Sequence, residues 1–348
     1  MNTPNDTKPT LVGLTPTEMA SELGLKPFQA RQIFRWIHGK QVFDFERMTD
    51  LSKALRARLD DGWRAGLLTP CATQECPRSG TKKMLFGLRD GATVEAVLLR
   101  HEARVTLCLS TQVGCPLACA FCATGLSGFT RNLDADEIAE QALRLLAGED
   151  LEERTPNLVY MGMGEPLLNY DAVMRSIRLL MAPEGLGVGA RKITVSTVGI
   201  VPGIRRFAKE DWQVRLSVSL HAANNTLRSR LAPINREYPL AELGHALHEY
   251  VAKTGRQFTV EWVLLKEVND SPKDARELAQ WLRAFKAGVN LIPYNGVPEA
   301  GFEASPRARC EAFRAALARE GVKATLRQER GQDIDAACGQ LRQRTVRS

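Results

Sequence analysis

The sequence lacks any apolar run of about 18 residues, the length that a membrane-spanning helix requires. Its N-terminal residues also lack the basic segment and apolar core of a signal peptide. No internal repeat or low-complexity segment is present, which excludes the repeat architectures. We therefore expect a globular, cytoplasmic protein that does not enter a membrane.

The charge and cysteine content narrow the class of protein further. The 348 residues include 47 basic and 40 acidic side chains, for a formal net charge of +7. This small basic excess suits a polyanionic partner and favours nucleic acid without establishing it. Eight cysteines in a chain with no export signal are more typical of metal binding or catalysis than of structural disulfides.

Three of the cysteines, Cys115, Cys119 and Cys122, lie within one stretch of eight residues. Their C-x3-C-x2-C spacing differs from the spacings of bacterial and plant-type ferredoxins. Three such thiolates can hold three irons of a [4Fe-4S] cluster and leave the fourth iron open for a small molecule. S-adenosylmethionine (SAM) and Fe–S centres both carry radical chemistry. The alternatives are a zinc site, which needs a fourth ligand, and three unrelated core cysteines. The spacing favours the cluster.

From about residue 105 onward, apolar runs that resemble strands alternate with amphipathic helices. The predicted strands cover residues 105–110, 157–162, 192–198, 214–220, 258–265, 289–294 and 323–328. The predicted helices lie near residues 134–147, 169–181, 202–209, 240–253, 272–286 and 305–320. This order predicts a parallel α/β sheet, open or closed, with six β/α units. A complete (β/α) barrel has eight.

The first hundred residues follow a different pattern. Residues 15–68 have a helical pattern and are rich in polar side chains. Their basic residues form either an ordinary solvent-exposed face or an RNA-binding surface. Pro70, Pro77 and Gly80 predict a boundary within residues 69–80. Residues 83–88 and 93–99, separated by Asp90 and Gly91, predict a β-hairpin.

Four predicted strands of the α/β region end in glycine and hydrogen-bonding side chains. The residues at these strand ends are Gly164 and Glu165 in the first, Ser196 in the second, Ser219 and His221 in the third, and Asn295 in the fourth. Each of these strand ends, taken alone, is also typical of residues that only form a turn. Because ligands gather at the C-terminal ends of parallel strands, four such ends favour one shared pocket.

Six further segments, together with the three-cysteine loop, carry a resemblance to a known family. They are residues 106–108, 112–115, 161–166, 219–221, 290–295 and 333–341. With these segments the chain resembles the radical-SAM RNA adenine methyltransferases, the RlmN/Cfr family, over nearly its whole length. The resemblance implies a partial (β/α)6 barrel of radical-SAM type with a small helical N-terminal domain. It divides the chain into a helical accessory RNA-binding domain (1–70), a linker and β-hairpin (71–100), and a radical-SAM core with a C-terminal catalytic-cysteine segment (101–348).

The resemblance also implies the roles of individual residues. Cys115, Cys119 and Cys122 would ligate the [4Fe-4S] cluster, and SAM would bind its open iron. The positions that match the family's SAM contacts are Gly164, Glu165, Ser196, Ser219, Leu220, His221 and Asn295. Cys338 matches the cysteine that is methylated by a first SAM, Cys108 matches the thiol that later forms a disulfide with it, and Glu95 matches a proton acceptor.

The implied reaction is methylation of carbon 2 of adenosine in 23S rRNA, in the peptidyl-transferase loop, and in tRNA next to the anticodon. A low-potential electron donor would be needed. Carbon 2 is an electron-poor amidine carbon, which a radical can attack more readily than a methyl cation can. In the implied scheme a SAM-derived radical activates the methyl group on Cys338, and the carbon adds to the base. Glu95 then takes the ring proton, and Cys108 attacks the sulfur of Cys338 to release the product.

Two alternatives stay open at this point. The carbon 8 branch of the same family would use the same cysteines. A non-catalytic RNA-binding or electron-transfer protein could hold zinc or a cluster in the three-cysteine loop. Without the resemblance, Cys108 and Cys338 would be interpreted as packing residues and Glu95 as a solvated strand residue.

Overall fold

The computed structural model describes residues 8–101, 104–151 and 154–327. The strands in this part of the chain are β1 (Thr69–Cys76), β2 (Thr81–Gly87), β3 (Thr93–His101), β4 (Arg104–Cys108), β5 (Gln112–Gly114), β6 (Phe129–Asn132), β7 (Asn157–Tyr160), β8 (Ile193–Thr197), β9 (Arg215–Ser219), β10 (Thr259–Leu264), β11 (Gly288–Pro293) and β12 (Ala324–Leu326).

The α-helices are α1 (Pro16–Glu22), α2 (Pro27–Phe34), α3 (Lys53–Gly62), α4 (Ala123–Leu126), α5 (Ala135–Leu146), α6 (Tyr170–Met181), α7 (Val201–Phe207), α8 (Asn225–Leu231), α9 (Leu240–Thr254), α10 (Pro272–Leu282) and α11 (Arg307–Arg319). A π-helical turn, Arg35–Gly39, extends α2. Short 3-10 turns cover Phe45–Arg47, Pro166–Leu168, Ala190–Lys192, Pro233–Arg236 and Pro298–Ala300.

Ten strands form one sheet in the order β1-β2-β3-β4-β7-β8-β9-β10-β11-β12. The strands from β4 and β7 to β12 are parallel, and β1 to β4 pair antiparallel. The sheet is open, with β1 and β12 as its edges among the described residues. The predicted parallel α/β sheet is therefore confirmed, and its connections through α5, α6, α7, α8 with α9, α10 and α11 correspond to six β/α units.

The pairing register separates the two faces of this sheet. Side chains at paired positions share a face, and neighbours along a strand alternate between faces. One face, which we call the polar face, carries Lys83, Glu95, Cys108, Thr194, Ser196, Ser217, Ser219, Glu261 and Asn290. The other face is apolar and belongs to the main core, with Leu107, Leu158, Val195, Leu216, Val260 and Leu291. Helices cover the apolar face, so the polar face is where a ligand can be bound.

The N-terminal helices pack against this α/β unit near α5 and α6. The buried Glu140 carboxylate on α5 accepts hydrogen bonds from the backbone N–H groups of Leu67 (2.6 Å) and Leu68 (3.1 Å). On α6, Arg175 pairs with Glu18 at 2.8 Å and donates to the carbonyl of Gly13 at 2.7 Å. The helical N-terminal region is confirmed, whereas the division at residues 70 and 100 stays a prediction.

The region between the N-terminal helices and the α/β unit differs from the prediction. Residues 83–88 and 93–99 form the expected hairpin, as β2 and β3. The stretch 69–80 also contains a strand that the sequence pattern did not predict, because residues 69–76 form β1, which pairs antiparallel with β2. Pro70 is compatible with a strand there because β1 is an edge strand and needs to donate on one side only. The sequence pattern also did not predict α8 or the two-stranded β5-β6 sheet.

In the described part of the chain, no helix combines the length and the apolar character needed to cross a bilayer.

Candidate active site

The three-cysteine loop, residues 115–122, lies beyond the C-terminal end of β4, between β5 and α4. Its entry is a tight backbone contact at Gly114, which has φ of +80°. A Cβ atom at Gly114 would lie 2.0 Å from the carbonyl oxygen of Gly128, so only glycine fits there. The Cys115 N–H donates to the same carbonyl at 2.8 Å. Within the loop, Ala118 has φ of +48°, an unusual conformation for a residue with a Cβ.

A small apolar cluster, separate from the main core, holds the three-cysteine loop on the strand ends. Its buried members are Ala123, Ala222, Leu231, Val263, Leu265, Tyr294 and Val297, and Phe121 packs against them. Two hydrogen bonds add to this packing: the Tyr294 hydroxyl donates to the Phe121 carbonyl at 3.2 Å, and the Ala120 N–H donates to the Leu231 carbonyl at 2.9 Å. The loop is thereby tied to α8 and to the end of β11.

The three thiols lie close enough to influence one another's ionisation. Desolvation, together with the charges of Glu165 and Cys122, raises the pKa of Cys115 to about 12. Desolvation also raises the pKa of Cys119, with contributions from Cys122, Cys115 and Glu165 in the same direction. Three half-buried thiolates that repel each other need a cation among them. The chain's own residues therefore fit a positively charged group bound by all three sulfurs.

Three thiolates can bind a cluster or contribute to the site of a single metal ion. Among the described residues, no three Cys, His, Asp or Glu side chains are arranged to hold one metal ion. In a [4Fe-4S] cluster each thiolate binds a different iron, whereas a structural zinc ion needs a fourth protein ligand. The three thiols of the loop provide the residue types that a cluster requires.

Glu165 joins the ends of three elements. Its buried carboxylate accepts from the N–H groups of Leu167 at 3.1 Å and Val198 at 2.9 Å, and its own N–H donates to Gln112 Oε1 at 2.8 Å. The preceding Gly164 has φ of +100°, and a Cβ there would lie 2.6 Å from Gln112 Cβ. Burial raises the pKa of Glu165 to about 7, although hydrogen bonds from Val198, Thr197 and Leu167 act against this rise.

Ser196 and Ser219 meet on the polar face of the sheet. Their hydroxyl oxygens lie 3.3 Å apart across β8 and β9. Leu220 is fully buried just beyond β9, and its N–H donates to the Glu261 carbonyl at 3.1 Å. Asn295 is half-buried in the loop that follows β11. The predicted SAM-contacting positions are therefore all at the C-terminal edge of the parallel strands.

His221 connects this edge to the three-cysteine loop. It is buried with φ of +59°, and its Nδ1 accepts from the Val263 N–H at 3.0 Å. That bond leaves the ring proton on Nε2. Burial, with the nearby Arg228 charge, lowers the pKa of His221 to about 3, so the ring is neutral. The ring of Phe121 packs edge-on against it at 4.7 Å between centroids.

Cys108 and Glu95 share the polar face on neighbouring strands. Cys108 on β4 pairs with Val97 of β3, two residues beyond Glu95, and both side chains are buried. The Glu95 carboxylate forms an ion pair with Lys83 at 2.9 Å, and neither side chain is more than 2% exposed. Lys83 was not among the predicted site residues, although a hairpin centred on Asp90 and Gly91 already puts it on the same face as Glu95. Cys338 lies outside the described residues.

Two other groups at the site were also not predicted. Arg228 on α8 is completely buried near Cys119 and His221. Glu261 on β10 accepts hydrogen bonds from Ser217 (2.7 Å), Asn290 (2.9 Å) and Arg327 (3.0 Å). Nothing in the local sequence distinguishes Arg228 from the surface arginines, because only burial makes it unusual. The strand register of β9, β10 and β11 would have indicated the Glu261 network.

The sequence matches two family models, one over the N-terminal helices and one over the α/β sheet. Residues 10–63 match the ribosomal RNA large subunit methyltransferase N-terminal domain, and residues 109–282 match the radical SAM superfamily. A protein of Heliobacterium modesticaldum named "Probable dual-specificity RNA methyltransferase RlmN" is 48% identical over 345 residues, which cover 95% of this chain and 89% of the relative. The chain belongs to the RlmN family of radical-SAM RNA methyltransferases.

Other RlmN relatives and one solved structure agree. The Bacillus subtilis protein of the same name is 46% identical over 320 residues, 92% of this chain and 88% of the relative. The crystal structure of a radical SAM methyltransferase from Sphaerobacter thermophilus superposes with a TM-score of 0.91 at 46% identity, covering 95% of this chain and 98% of that one. This chain is therefore an enzyme of radical-SAM fold, with an N-terminal helical region and a partial (β/α) barrel. SAM and a [4Fe-4S] cluster are its cofactors.

The raised pKa of Glu165 predicts how SAM binding depends on pH. If the α-ammonium group of SAM binds beside Glu165, it needs the carboxylate form. Since the pKa of Glu165 in the folded protein is about 7, its carboxyl group must lose a proton when SAM binds at lower pH. We expect the dissociation constant of SAM for the cluster-loaded protein to fall by up to about tenfold per unit of rising pH between about pH 5.5 and 7.

Equilibrium binding of labelled SAM at several pH values measures this dependence. The SAM α-amino group stays protonated in that range, so a change in the ligand does not interfere. Glu165→Gln, which cannot titrate, should bind more weakly and show a flat profile. A flat profile in the unmodified protein would contradict the placement of the ammonium group beside Glu165.

Proposed function

We propose that this enzyme methylates carbon 2 of adenosine in 23S rRNA, in the peptidyl-transferase loop, and in tRNA next to the anticodon. The observation that supports it most is the juxtaposition of Cys108 and Glu95 on the polar face. A reaction that adds a carbon to an aromatic ring carbon must afterwards remove a proton and release the new methyl group. A carboxylate and a thiol on adjacent strands can perform these two steps.

We assign the following roles to the residues of the chain. Cys115, Cys119 and Cys122 hold the cluster, and the strand ends around Glu165 and Ser196 orient SAM. Cluster and SAM, when bound, supply a carbon-centred radical at the C-terminal edge of the sheet. The remaining SAM contacts are Gly164, Ser219, Leu220, His221 and Asn295.

We assign the transfer of the methyl carbon to Cys338, Glu95 and Cys108. Cys338 carries the methyl group that becomes attached to the base. Glu95, which forms an ion pair with the Lys83 ammonium group at 2.9 Å, removes the ring proton, and the base radical gives up one electron. The Cys108 thiolate then attacks the Cys338 sulfur and forms a disulfide with it. The electron pair of the broken carbon–sulfur bond stays with the transferred carbon, which takes up a proton and becomes the methyl group. A low-potential one-electron donor outside the chain starts each turnover, and two further electrons from outside reduce the disulfide.

We also propose how the chain is divided between RNA binding and catalysis. Residues 1–70 form the accessory RNA-binding domain, residues 71–100 connect it through the β1–β3 region, and residues 101–348 form the catalytic core. The net charge of +7 supports a polyanionic partner. Since both proposed RNA substrates are cytoplasmic, we propose a cytoplasmic enzyme.

Mass spectrometry of nucleosides tests the proposed position of methylation. The reconstituted enzyme is incubated with SAM, a low-potential reductant and unmodified 23S rRNA or tRNA, and the RNA is then digested. We expect 2-methyladenosine from both substrates. Formation of 8-methyladenosine alone would contradict carbon 2 selectivity and indicate the carbon 8 branch. Absence of SAM cleavage would favour a non-catalytic metal-containing RNA-binding protein instead.

A further inference from the structure

Arg228 is a buried cation without a carboxylate partner among the described residues. Its side chain is 0% exposed. Its Nη1 donates to Asn235 Oδ1 at 3.0 Å, its Nη2 donates to the Val198 carbonyl, and its Nε has no hydrogen-bond partner in the described part of the chain. Burying a charge with only neutral acceptors is costly unless an anion compensates it. The burial of Arg228 therefore indicates an anion that binds nearby.

The surroundings of Arg228 indicate which anion this is. The same helix, α8, accepts the hydrogen bond from Ala120 of the three-cysteine loop through the Leu231 carbonyl at 2.9 Å. Arg228 lies one turn before Leu231 on α8, so the two side chains share a face of this helix. Leu231 also belongs to the small apolar cluster against which Phe121 of the three-cysteine loop packs. Arg228 therefore lies on the part of α8 that contacts this loop, at the residue that follows Cys119.

We propose that Arg228 sets the reduction potential of the [4Fe-4S] cluster by stabilising its reduced form. This inference rests on the proposed ligand roles of Cys115, Cys119 and Cys122. A [4Fe-4S] cluster with three thiolate ligands is a net anion, and it becomes more negative by one charge when it accepts an electron from the external donor. A buried cation stabilises the reduced state more than the oxidised state, so its removal makes the potential more negative.

A purely structural role would have a different signature. In that case Arg228 would only tie α8 to the end of β8 and to Asn235, through its two hydrogen bonds. Its loss would then lower the stability of the fold and leave the potential of any loaded cluster unchanged. The potential therefore separates the two explanations, because neutral hydrogen bonds remote from the sulfurs change it little.

The experiment measures the midpoint potential of the full-length, anaerobically reconstituted protein by a mediated titration followed by electron paramagnetic resonance. Iron and sulfide content are measured on the same samples. Arg228→Gln keeps hydrogen-bonding capacity but removes the charge, and we expect at least a tenfold loss in the reduction equilibrium. For a one-electron couple this is a shift of about 59 mV to more negative potential. Arg228→Lys keeps the charge, so its midpoint potential should stay close to that of the unmodified protein.

Asn235→Asp provides a second variant that leaves Arg228 in place. The new carboxylate would face Nη1, where Asn235 Oδ1 now accepts at 3.0 Å, and would partly neutralise the arginine. We expect a shift in the same direction, and this variant decides the matter if Arg228→Gln does not retain the cluster. An unchanged potential in the fully loaded variants would overturn the proposal, as would an equal shift in Arg228→Lys and Arg228→Gln.

Cys119→Ala separates this inference from the assignment of the ligands. Loss of the cluster in Cys119→Ala supports the ligand assignment, whatever the potential of the Arg228 variants. If Cys119→Ala instead keeps its full iron content and unchanged spectra, the ligand assignment fails, and the argument for Arg228 fails with it.

Discussion

The Cys108→Ala variant is expected to accumulate RNA that is covalently attached to the protein and to release almost no methylated product. In the proposed mechanism the new carbon bond to adenosine forms before Cys108 acts. Only the attack of this thiol on the Cys338 sulfur breaks the link between protein and RNA. Because Cys108 is buried on the polar face beside Glu95, bulk thiols are poor substitutes for it. A denaturing gel with labelled RNA measures the adduct, and nucleoside mass spectrometry measures release.

Two matched variants make this experiment specific. Cys338→Ala should form neither adduct nor product, since it removes the sulfur that carries the methyl group. Cys310→Ala removes another buried cysteine, on α11, with its sulfur near the Ser305 carbonyl at 3.5 Å. We expect Cys310→Ala to turn over like the unmodified enzyme. Normal turnover in both Cys108→Ala and Cys338→Ala would refute the two-cysteine mechanism.

The Lys83→Met variant is expected to lose about 3–5 kcal/mol of its free energy of unfolding. The reason is the ion pair with Glu95, whose two side chains are 0% and 2% exposed. Removing the ammonium group deletes one member of a buried ion pair, which costs stability because the charge that remains stays desolvated. We also expect severe loss of methylation, because Glu95 must be ionised to accept the ring proton. Chemical denaturation measures the first effect, and single-turnover assays measure the second.

The double variant Lys83→Met with Glu95→Met separates folding from catalysis. Replacing both members of a buried pair by apolar residues of similar size is often close to neutral for stability. We therefore expect this variant to recover most of the lost free energy of unfolding while methylation stays absent. Recovery of methylation together with stability would show that Glu95 is not the proton acceptor and that the pair has a structural role.

The sequence pattern predicted the repeating unit of the fold because that unit is local. Alternating faces of a strand and the 3.6-residue period of a helix are visible in windows of ten to fifteen residues. The capping box of α5 is an example, since the Asp134 N–H bonds to Glu137 at 2.9 Å as the spacing predicts. The strand β1 was missed because Pro70 within it and Pro77 just after it are typical of a boundary, and only its pairing with β2 makes it a strand.

The residues of the candidate site also differ in whether the sequence could identify them. The three-cysteine loop and the polar strand ends were identified from residue type and spacing, and resemblance to a family supplied Cys108, Cys338 and Glu95. Lys83 and Arg228 had no such signal. An arginine on a short helix is ordinary in a sequence, and it becomes informative only when all its surface is buried and no carboxylate faces it.

The sequence by itself determined the α/β order, the three-cysteine loop and the membership of a family, because each depends on residue types at short, regular spacing. The tertiary structure alone decided what surrounds these groups. It buried Glu95 against Lys83, put Cys108 on the same face, and buried Arg228 on the helix that contacts the three-cysteine loop. These relations depend on strand register and on desolvation, which are properties of the packed chain and not of any local stretch.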